Sequence, residues 1–419
     1  SSHRSAGRRE KSGSSTDGRT VWCQGPSSDS PYDTGIQQMN TGPQLDVRGL
    51  EKQFGDGFSL SAVDLTVDTD EIVALLGPSG CGKTTILRCI AGVESPDAGT
   101  VRIGDEVVEN GSVSRPPENR DVGMVYQSYA IWPHKSVYEN VVFPLKHTSH
   151  PIPPEEYESR VDEILELLEI RELKRSPATE LSGGQQQRTA LARSLVHDPD
   201  LLLLDEPLSN LDRELRTSMR YELQRLQHEL DISMLYVTHD QEEAFYLADR
   251  VVILKDGTVV EQGTPRELHR RPRSAFTRGF VGNRNRVEGT VDVDGGNYVV
   301  GTDLADFPLD RADYVADEPT TGPVSCFVRP ADLSIGAVPD GGTDGTVQLT
   351  DESDGTIGLR GTVVAEGLIG DQYEVTVTFD GHDTDLIVHT ENGMQLAPGD
   401  SLALRIPPES VQVYPTPDR

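Results

Sequence analysis

The chain has 419 residues, which is too long for one ordinary domain and points to two or three. Its 69 acidic and 38 basic residues give a formal net charge of −31, which argues against a protein that coats nucleic acid or an anionic bilayer, since both are negative. The sequence has no apolar run of about 18 residues, no signal-peptide pattern and only four cysteines, without disulfide-scaffold density or metal-ligand spacing. We therefore expect a soluble, intracellular chain with reduced thiols.

The negative charge is concentrated towards the C-terminus. Residues 287–419 carry 25 acidic and five basic side chains, and the whole chain has 31 arginines but seven lysines. A high-salt cytoplasm would explain this balance, because concentrated counterions screen an acidic surface that repels itself in dilute buffer. An acidic surface that only aids solubility explains the composition equally well.

Residues 1–44 are rich in Ser, Gly, Arg, Thr and Asp, lack apolar periodicity, and are predicted to form a disordered tail. Met39 is a hypothetical native start, because the strand-like stretch that begins at Leu45 follows it closely. Arg8 and Arg9 are interpreted as solvated side chains of this tail.

Residues 45–282 alternate short leucine-rich or β-branched runs with helical stretches, which is typical of an α/β domain. An amphipathic helix is predicted around residues 161–168. From residue 283 the helical period is lost, and residues 283–419 are predicted to form a separate all-β domain. Buried strands of the α/β domain are predicted at 72–76, 123–126, 201–204, 234–237 and 251–254.

A phosphate-binding loop follows the strand predicted at 72–76, and a helical stretch comes directly after it. The glycines of such a loop let backbone N–H groups surround a triphosphate. Lys83 is expected to contact the β- and γ-phosphates and Thr84 to bind Mg²⁺, while Cys81 is interpreted as a small filler. The predicted nucleotide-binding residues are Gly77, Pro78, Ser79, Gly80, Cys81, Gly82, Lys83, Thr84 and Thr85.

Two adjacent carboxylates, Asp205 and Glu206, end the apolar strand predicted at 201–204. Side-chain alternation along a strand directs them to different sides. We expect Asp205 to hold Mg²⁺ through its water shell and Glu206 to polarise the water that attacks the γ-phosphate. A surface turn is the alternative for this pair alone, and the upstream phosphate loop makes it the weaker one.

Between these elements lies the stretch Leu-Ser-Gly-Gly-Gln-Gln-Gln-Arg at 181–188, before a helix predicted at 189–196. Ser182, Gly183 and Gly184 form either a second anion site or an ordinary helix cap. With this stretch the chain resembles the ATP-binding-cassette (ABC) ATPases, whose α/β P-loop fold carries a helical subdomain, here at about 128–196. The resemblance implies that two subunits, identical or paralogous, sandwich ATP head to tail, with Ser182 to Gln185 of one subunit completing the other's phosphate loop.

The resemblance also assigns roles to four further residues. Gln127 senses Mg²⁺ and the attacking water, and His239 contacts the γ-phosphate, although each alone is also an ordinary strand-end residue. Asp212 belongs to the loop that crosses the dimer interface and can cap the helix that follows. Phe54 stacks on adenine at a position where tyrosine is commoner in the family.

The segment after Gln127 is similar to the part of binding-protein-dependent importer ATPases that receives a short permease helix. Tyr129, Ile131, Trp132 and Val141 are therefore expected to form an exposed apolar groove, with core packing as the alternative. Because residues 327–333 and 363–377 resemble the oligonucleotide-binding-like TOBE barrels of importer ATPases, the β-domain is expected to hold the dimer together or to sense a regulator. Nucleic acid is not expected as its partner, because its charge would repel phosphate.

The resemblance thus implies a peripheral ATPase subunit on the cytoplasmic side of the cell membrane. It would act with a second ATPase subunit, two permease subunits and, indirectly, an external solute-binding protein. The cargo stays open among sugar, polyamine, ferric iron and inorganic anion, with a slight preference for iron or polyamine. A soluble ABC ATPase that acts on ribosomes or DNA is the alternative function, and a non-enzymatic phosphate-binding regulator is disfavoured by Glu206 and His239.

Overall fold

A computed structural model describes residues 42–55, 57–147, 152–282, 285–316, 318–336, 356–390 and 396–416. The predicted start at Met39, Arg8, Arg9 and nearly all of the predicted tail lie outside these residues. None of the described helices is long and apolar enough to cross a membrane.

The first part of the chain forms ten strands and eight α-helices within the described residues. The strands are β1 Leu45–Phe54, β2 Phe58–Val67, β3 Ile72–Leu76, β4 Ala98–Ile103, β5 Glu106–Glu109, β6 Val122–Val125, β7 Leu201–Asp205, β8 Ser233–Thr238, β9 Arg250–Lys255 and β10 Thr258–Gly263. The helices are α1 Lys83–Ala91, α2 Val137–Val141, α3 Tyr157–Leu167, α4 Gly183–Leu195, α5 Arg213–Leu230, α6 Gln241–Leu247, α7 Pro265–Arg270 and α8 Ala275–Phe280.

The central sheet has the strand order β10-β9-β3-β8-β7-β6, and all its pairs except β9 with β10 are parallel. Both of its faces are covered, so β3, β7 and β8 are buried at every position rather than at alternate ones. In β3, Ile72, Ala74 and Leu76 pack into one hydrophobic core, whereas Val73 and Leu75 pack into a second core on the other face. The carboxyl ends of β3, β8, β7 and β6 therefore meet at one edge of the sheet.

A second sheet, not expected from the sequence, covers one face of the central sheet together with α1. Its strand order is β2-β1-β4-β5, and all its pairs are antiparallel. Leu45, Val47 and Leu50 of β1 are fully buried in the same core as Ile86 and Leu87 of α1. Phe54 at the end of β1 pairs with Phe58 of β2, whose ring lies beside Gly82.

Helices α2, α3 and α4 lie in the region for which the helical subdomain is predicted. The predicted amphipathic helix is α3, and its residues Val161, Ile164 and Leu165 are buried. The sequence predicted that this helix begins at residue 189. Helix α4 begins at Gly183 instead, because Ser182 caps it. Ser182 and Gln185 form a reciprocal capping box, which supplies partners for two N–H groups at the start of the helix.

The remaining described residues form two further sheets, with orders β13-β12-β11-β15-β21-β14 and β16-β20-β17-β18-β19, around a third apolar core. The Tyr414 hydroxyl donates to the carbonyl of Pro272 at 2.8 Å, so this part packs against the segment between α7 and α8. The strands are β11 Asn285–Asp294, β12 Asn297–Thr302, β13 Asp306–Pro308, β14 Asp313–Tyr314, β15 Gly322–Val328, β16 Ser334–Gly336, β17 Ile357–Ile369, β18 Gln372–Thr378, β19 Leu386–Thr390, β20 Ser401–Ile406 and β21 Gln412–Pro415.

Candidate active site

The phosphate loop connects β3 to α1 at the carboxyl edge of the central sheet. A Cβ atom at Gly77 would lie 2.2 Å from the carbonyl oxygen of Leu254 and 2.8 Å from Sγ of Cys81, so only glycine fits there. Gly82, the N-cap of α1, has a φ of 106°, which side-chain-bearing residues rarely adopt. Ser79 and Gly80 are exposed at the tip of the loop.

Lys83 folds back over this loop. Its side chain is buried, and Nζ donates to the carbonyl oxygens of Gly77 at 2.8 Å and Pro78 at 2.9 Å. The phosphate loop thus surrounds the ammonium group, which can contact an anion that binds in the loop. Cys81 is 4% exposed beside it, and burial raises the pKa of its thiol, which agrees with its interpretation as a filler.

A hydroxyl and a carboxylate meet next to the phosphate loop. The Thr84 hydroxyl donates to Oδ1 of Asp205 at 2.8 Å, at the point where β7 ends. Asp205 is 4% exposed. Burial, to which the neighbouring charge of Glu206 adds, raises the pKa of the Asp205 carboxyl, while the Thr84 hydrogen bond opposes the shift.

The three predicted catalytic residues meet at one carboxylate oxygen. Gln127 Nε2 donates to Oε2 of Glu206 at 3.1 Å, and Nδ1 of His239 lies 3.1 Å from the same oxygen. Glu206 has a φ of 45°, an unfavourable left-handed conformation for a glutamate, and its N–H donates to the carbonyl of Val237 at 2.9 Å. Backbone strain of this kind is concentrated at functional sites, and here it turns the side chain from the strand towards Gln127 and His239.

The loop after Glu206 is bonded to this cluster. The Ser209 hydroxyl donates to the Glu206 carbonyl at 2.9 Å, and Asn210 Nδ2 donates to the Gln127 carbonyl at 2.9 Å. Asp212 ends the loop as the N-cap of α5, since its Oδ1 accepts from the N–H of Leu215 at 2.9 Å. Asp212 therefore has the capping position that its sequence context indicates.

The structure keeps other predicted nucleotide-binding residues apart from this cluster. Among the described residues, no hydrogen bond or ion pair joins Ser182, Gly183, Gly184 or Gln185 to residues 77–85. Phe54 is 44% exposed at the end of β1, and Lys52 Nζ lies over one face of its ring, 5.5 Å from the centroid. Thr85 is half-buried in the first turn of α1.

Sequence reasoning missed Arg193, which connects α4 to the segment after Gln127. Its guanidinium is buried and donates to the carbonyls of Ala130 at 2.7 Å and Tyr129 at 2.8 Å. Both of these residues have left-handed backbones, with φ of 47° and 59°. The sequence signal was an arginine among the apolar residues of the second half of α4, which are Ala190, Leu191, Ala192 and Leu195, and such a position suggests a buried polar role.

A cavity lies near the expected groove, but of the four residues expected to line it only Trp132 does so. Tyr129 and Val141 are buried in the core, so the expectation that they are exposed is wrong, whereas Ile131 and Trp132 are half-buried. The cavity has a volume of about 970 Å³. Its lining includes an aromatic cluster of Trp132, Phe143 and His147, in which the ring centroids of Trp132 and Phe143 lie 4.5 Å apart, beside charged side chains such as Arg115 and Glu118.

Comparisons with known proteins agree with this geometry. The model of the ABC transporter family matches residues 60–209, and that of the TOBE domain matches residues 326–413. A spermidine/putrescine import ATP-binding protein, PotA, of Marinobacter nauticus is 41% identical over 354 residues, which cover 84% of this chain and 86% of the relative.

An Fe(3+) ions import ATP-binding protein, FbpC, of Vibrio cholerae is 38% identical over 345 residues, which cover 82% of this chain and 89% of the relative. A solved chain, cbiO1 from Clostridium perfringens, is 31% identical, covers 54% of this chain and 90% of its own length, and has a TM-score of 0.48. The family matches and the two import proteins confirm the resemblance and favour an importer over a ribosome- or DNA-directed ATPase. The chain therefore belongs to the ABC transporter ATPases, as an ATP-hydrolysing importer subunit with a C-terminal TOBE domain.

Proposed function

We propose that this subunit binds ATP on residues 77–85 and hydrolyses it with Glu206, Gln127 and His239. The observation that carries the proposal is that Gln127 and His239 both contact Oε2 of Glu206 at 3.1 Å, next to the phosphate loop. On binding, we expect Lys83 Nζ to exchange the loop carbonyls for oxygens of the β- and γ-phosphates. The exposed ring of Phe54 is the proposed stacking surface for adenine.

The residues around Thr84 fit a Mg²⁺ ion. Its hydroxyl is a hard oxygen donor, and it lies 2.8 Å from the Asp205 carboxylate, which is proposed to hold the ion through its water shell. The Gln127 side chain is a further proposed ligand. Among the described residues, no three His, Cys, Asp or Glu side chains could hold a metal on their own, so ATP phosphates and water are expected as the remaining ligands. Bound there, Mg²⁺ would neutralise charge that develops on the phosphate oxygens.

Glu206 is the proposed base for the attacking water. Its Oε2 is occupied by Gln127 and His239, whereas its Oε1 makes no hydrogen bond to another described residue. We expect Oε1 to accept a hydrogen bond from water and to direct it towards the γ-phosphate. His239, through its other ring nitrogen, is expected to contact the γ-phosphate.

A second subunit is proposed to complete the site. Ser182 and Gly183 are exposed, and the N–H groups of Gly183 and Gly184 make no hydrogen bond to any other described residue. Free N–H groups and the positive end of the dipole of α4 suit an anion, yet no described residue of the same chain supplies one. In a two-fold dimer the γ-phosphate held by the partner would lie at this helix end.

Mixing two inactive variants tests this arrangement. Lys83→Ala removes the phosphate-loop lysine, and Ser182→Arg blocks the start of α4, so neither homodimer retains an intact site. A mixed dimer retains one intact site out of two, and half of the dimers in an equal mixture are mixed. We therefore expect recovery of about one quarter of the wild-type turnover. No recovery in a mixture that dimerises would refute the shared site.

The cavity lined by Trp132, Phe143 and His147 is the proposed docking site for a permease. Binding to the permease would hold the subunit at the cytoplasmic face of the membrane. Phe143 is 37% exposed there and can contact an inserted helix. We expect Phe143→Ala to reduce co-purification with the permease subunits while the isolated subunit retains its ATPase activity. Tyr221→Ala, which removes an exposed aromatic ring from α5, is the matched control and is expected to leave co-purification unchanged.

The cargo is proposed to be a polyamine or ferric iron, because the two relatives described above are named for these solutes. Uptake into vesicles that contain the co-purified permease, with the solute-binding protein added outside, would decide between labelled putrescine and ferric iron. Uptake of neither, in vesicles that hydrolyse ATP, would contradict this proposal alone.

A further inference from the structure

Arg216 on α5 lies one turn after Asp212 and contacts two separate parts of the site. Its Nη2 donates to the carbonyl of Leu211 at 3.2 Å, in the loop that follows Glu206. Its Nη1 donates to Oδ2 of Asp240 at 3.4 Å, directly after His239. One guanidinium therefore joins the loop proposed to meet the second subunit with the residue after His239.

The Asp240 end of this contact belongs to a buried network. Nε of Arg216 lies 3.6 Å from Oε1 of Glu243, which is 3% exposed. The other oxygen of Glu243 accepts two hydrogen bonds at 2.8 Å, from the hydroxyls of Tyr236 and Thr238. The Thr238 hydroxyl in turn accepts from the N–H of Asp240 at 3.0 Å.

His239 lies between two residues that this network holds. Thr238 is tied to Glu243, and Asp240 is tied to Thr238 and to Arg216. Asp240 also caps α6, because its Oδ1 accepts from the N–H of Glu242 at 2.8 Å. The backbone of His239 therefore cannot move independently of Asp240, and Asp240 is linked through Arg216 to the loop at Leu211.

We propose that Arg216 is a positioning residue that links the 208–212 loop to His239, so that engagement of this loop by a second subunit sets His239 against Glu206. The inference rests on the proposed function. A guanidinium suits this task because its three nitrogens present donors in a rigid planar fork, so that separate nitrogens reach the Leu211 carbonyl, Asp240 and Glu243. Arg216 is also held in place, since its departure would leave the buried carboxylate of Glu243 without a cationic partner.

The three contacts of Arg216 are long, at 3.2, 3.4 and 3.6 Å. Hydrogen bonds in a ligand-free site often shorten when the reactive complex forms. A small displacement of Leu211 towards the site would shorten its contact with Arg216 and pass through Asp240 to His239. The arrangement predicts that Arg216 affects turnover more than it affects ATP binding.

The test compares two arginines of α5 that have similar exposure. Arg216 is 32% exposed, and Arg225, the control, is 36% exposed and pairs with Glu222 and Glu229 away from the site. We expect Arg216→Gln to lower kcat at least about tenfold with KM for ATP within about twofold of wild type, a split that points to the transition state. Arg225→Gln should leave kcat within about twofold of wild type.

Asp240→Asn supplies the second measurement, because an asparagine oxygen can still cap α6 whereas the ion pair with Arg216 is lost. We expect the double variant Arg216→Gln with Asp240→Asn to lose no more kcat than the worse single variant, since both break one connection. Asp240→Asn alone is informative even if Arg216→Gln does not fold, and a kcat equal to wild type would then overturn the proposal.

The proposal is also overturned if the decreases in kcat of Arg216→Gln and Asp240→Asn multiply in the double variant. It is overturned as well if Arg216→Gln has the same kcat as Arg225→Gln. Glu206→Gln is measured in the same series to separate the two levels of inference. An active Glu206→Gln enzyme would refute the proposed function itself. An inactive one beside an unaffected Arg216→Gln enzyme would refute the link through Arg216 alone.

Discussion

Glu206→Gln separates catalysis from folding and binding. Glutamine keeps the shape of the side chain, and its oxygen can still accept one of the two contacts that Gln127 and His239 make at 3.1 Å. It removes the basicity that the attacking water needs, and a positioned general base contributes about 10²–10⁴-fold to a rate. That loss corresponds to about 3–5 kcal/mol in the activation barrier.

The effect on stability is expected to be far smaller. Losing part of one charge-assisted contact costs about 1–2 kcal/mol, against a typical stability of about 5–15 kcal/mol, so the variant stays folded. A loss of activity of the expected size therefore has to come from the chemical step. The variant should also accumulate as an ATP-bound dimer, because the two subunits are proposed to enclose ATP together before it is hydrolysed.

Phosphate release at saturating ATP measures the first effect, and sedimentation with and without ATP measures the second. We expect turnover at least about 100-fold below wild type and a dimer that forms with ATP and persists. Glu229→Gln, which alters an exposed carboxylate paired with Arg225, is the matched control and should behave like wild type in both assays. Turnover of Glu206→Gln within a few-fold of wild type would refute the role of Glu206.

Three further predictions concern the phosphate loop, Mg²⁺ and salt. Because burial raises the pKa of Asp205, the folded protein binds this proton more tightly than the unfolded chain does, and stability is lost as pH rises through the folded pKa. Asp205→Asn should thus raise the melting temperature of the nucleotide-free protein at neutral pH, and this gain should disappear below about pH 4. The variant should also lose Mg²⁺-dependent turnover. An unchanged melting temperature at neutral pH would contradict the stability argument. Gly77→Ala should weaken binding of a fluorescent ATP analogue at least about tenfold, because its Cβ would lie 2.2 Å from the Leu254 oxygen, and unaltered binding would show that the loop yields. If the acidic surface is an adaptation to salt, the melting temperature should rise from about 0.1 M to about 2 M KCl, and a fall would remove that explanation.

The sequence was most informative about the strands that the proposed catalytic residues follow. The strands after which Gln127, Glu206 and His239 follow are β6, β7 and β8, and each could be predicted from a short apolar run within two residues of its observed bounds. Parallel strands present their carboxyl ends at one edge, which is why residues that follow three separate strands can meet there. The three side chains do converge, on Oε2 of Glu206.

The parts that the sequence did not predict depend on contacts between distant segments. The antiparallel sheet joins two hairpins, β1 with β2 and β4 with β5, through the pairing of β1 with β4, which are separated in sequence by β2, β3 and α1. Short mixed runs do not specify such distant pairing. Tyr129 and Val141 were expected in an exposed groove because they lie in an apolar loop. Their burial follows from packing against the core beside α4, which composition cannot reveal.

The buried arginines explain a small part of the excess of arginine over lysine. Arg120 donates to three carbonyls, those of Arg115, Cys89 and Ile90, and Arg193 donates to two. A lysine could not replace either, because an ammonium group does not present several donors in one plane. Such positions account for arginine at a few buried sites in the described part of the chain, whereas most of the 31 arginines need another reason. Internal packing therefore leaves the scarcity of lysine on the surface unexplained. The melting temperature in KCl tests whether adaptation to salt is the cause.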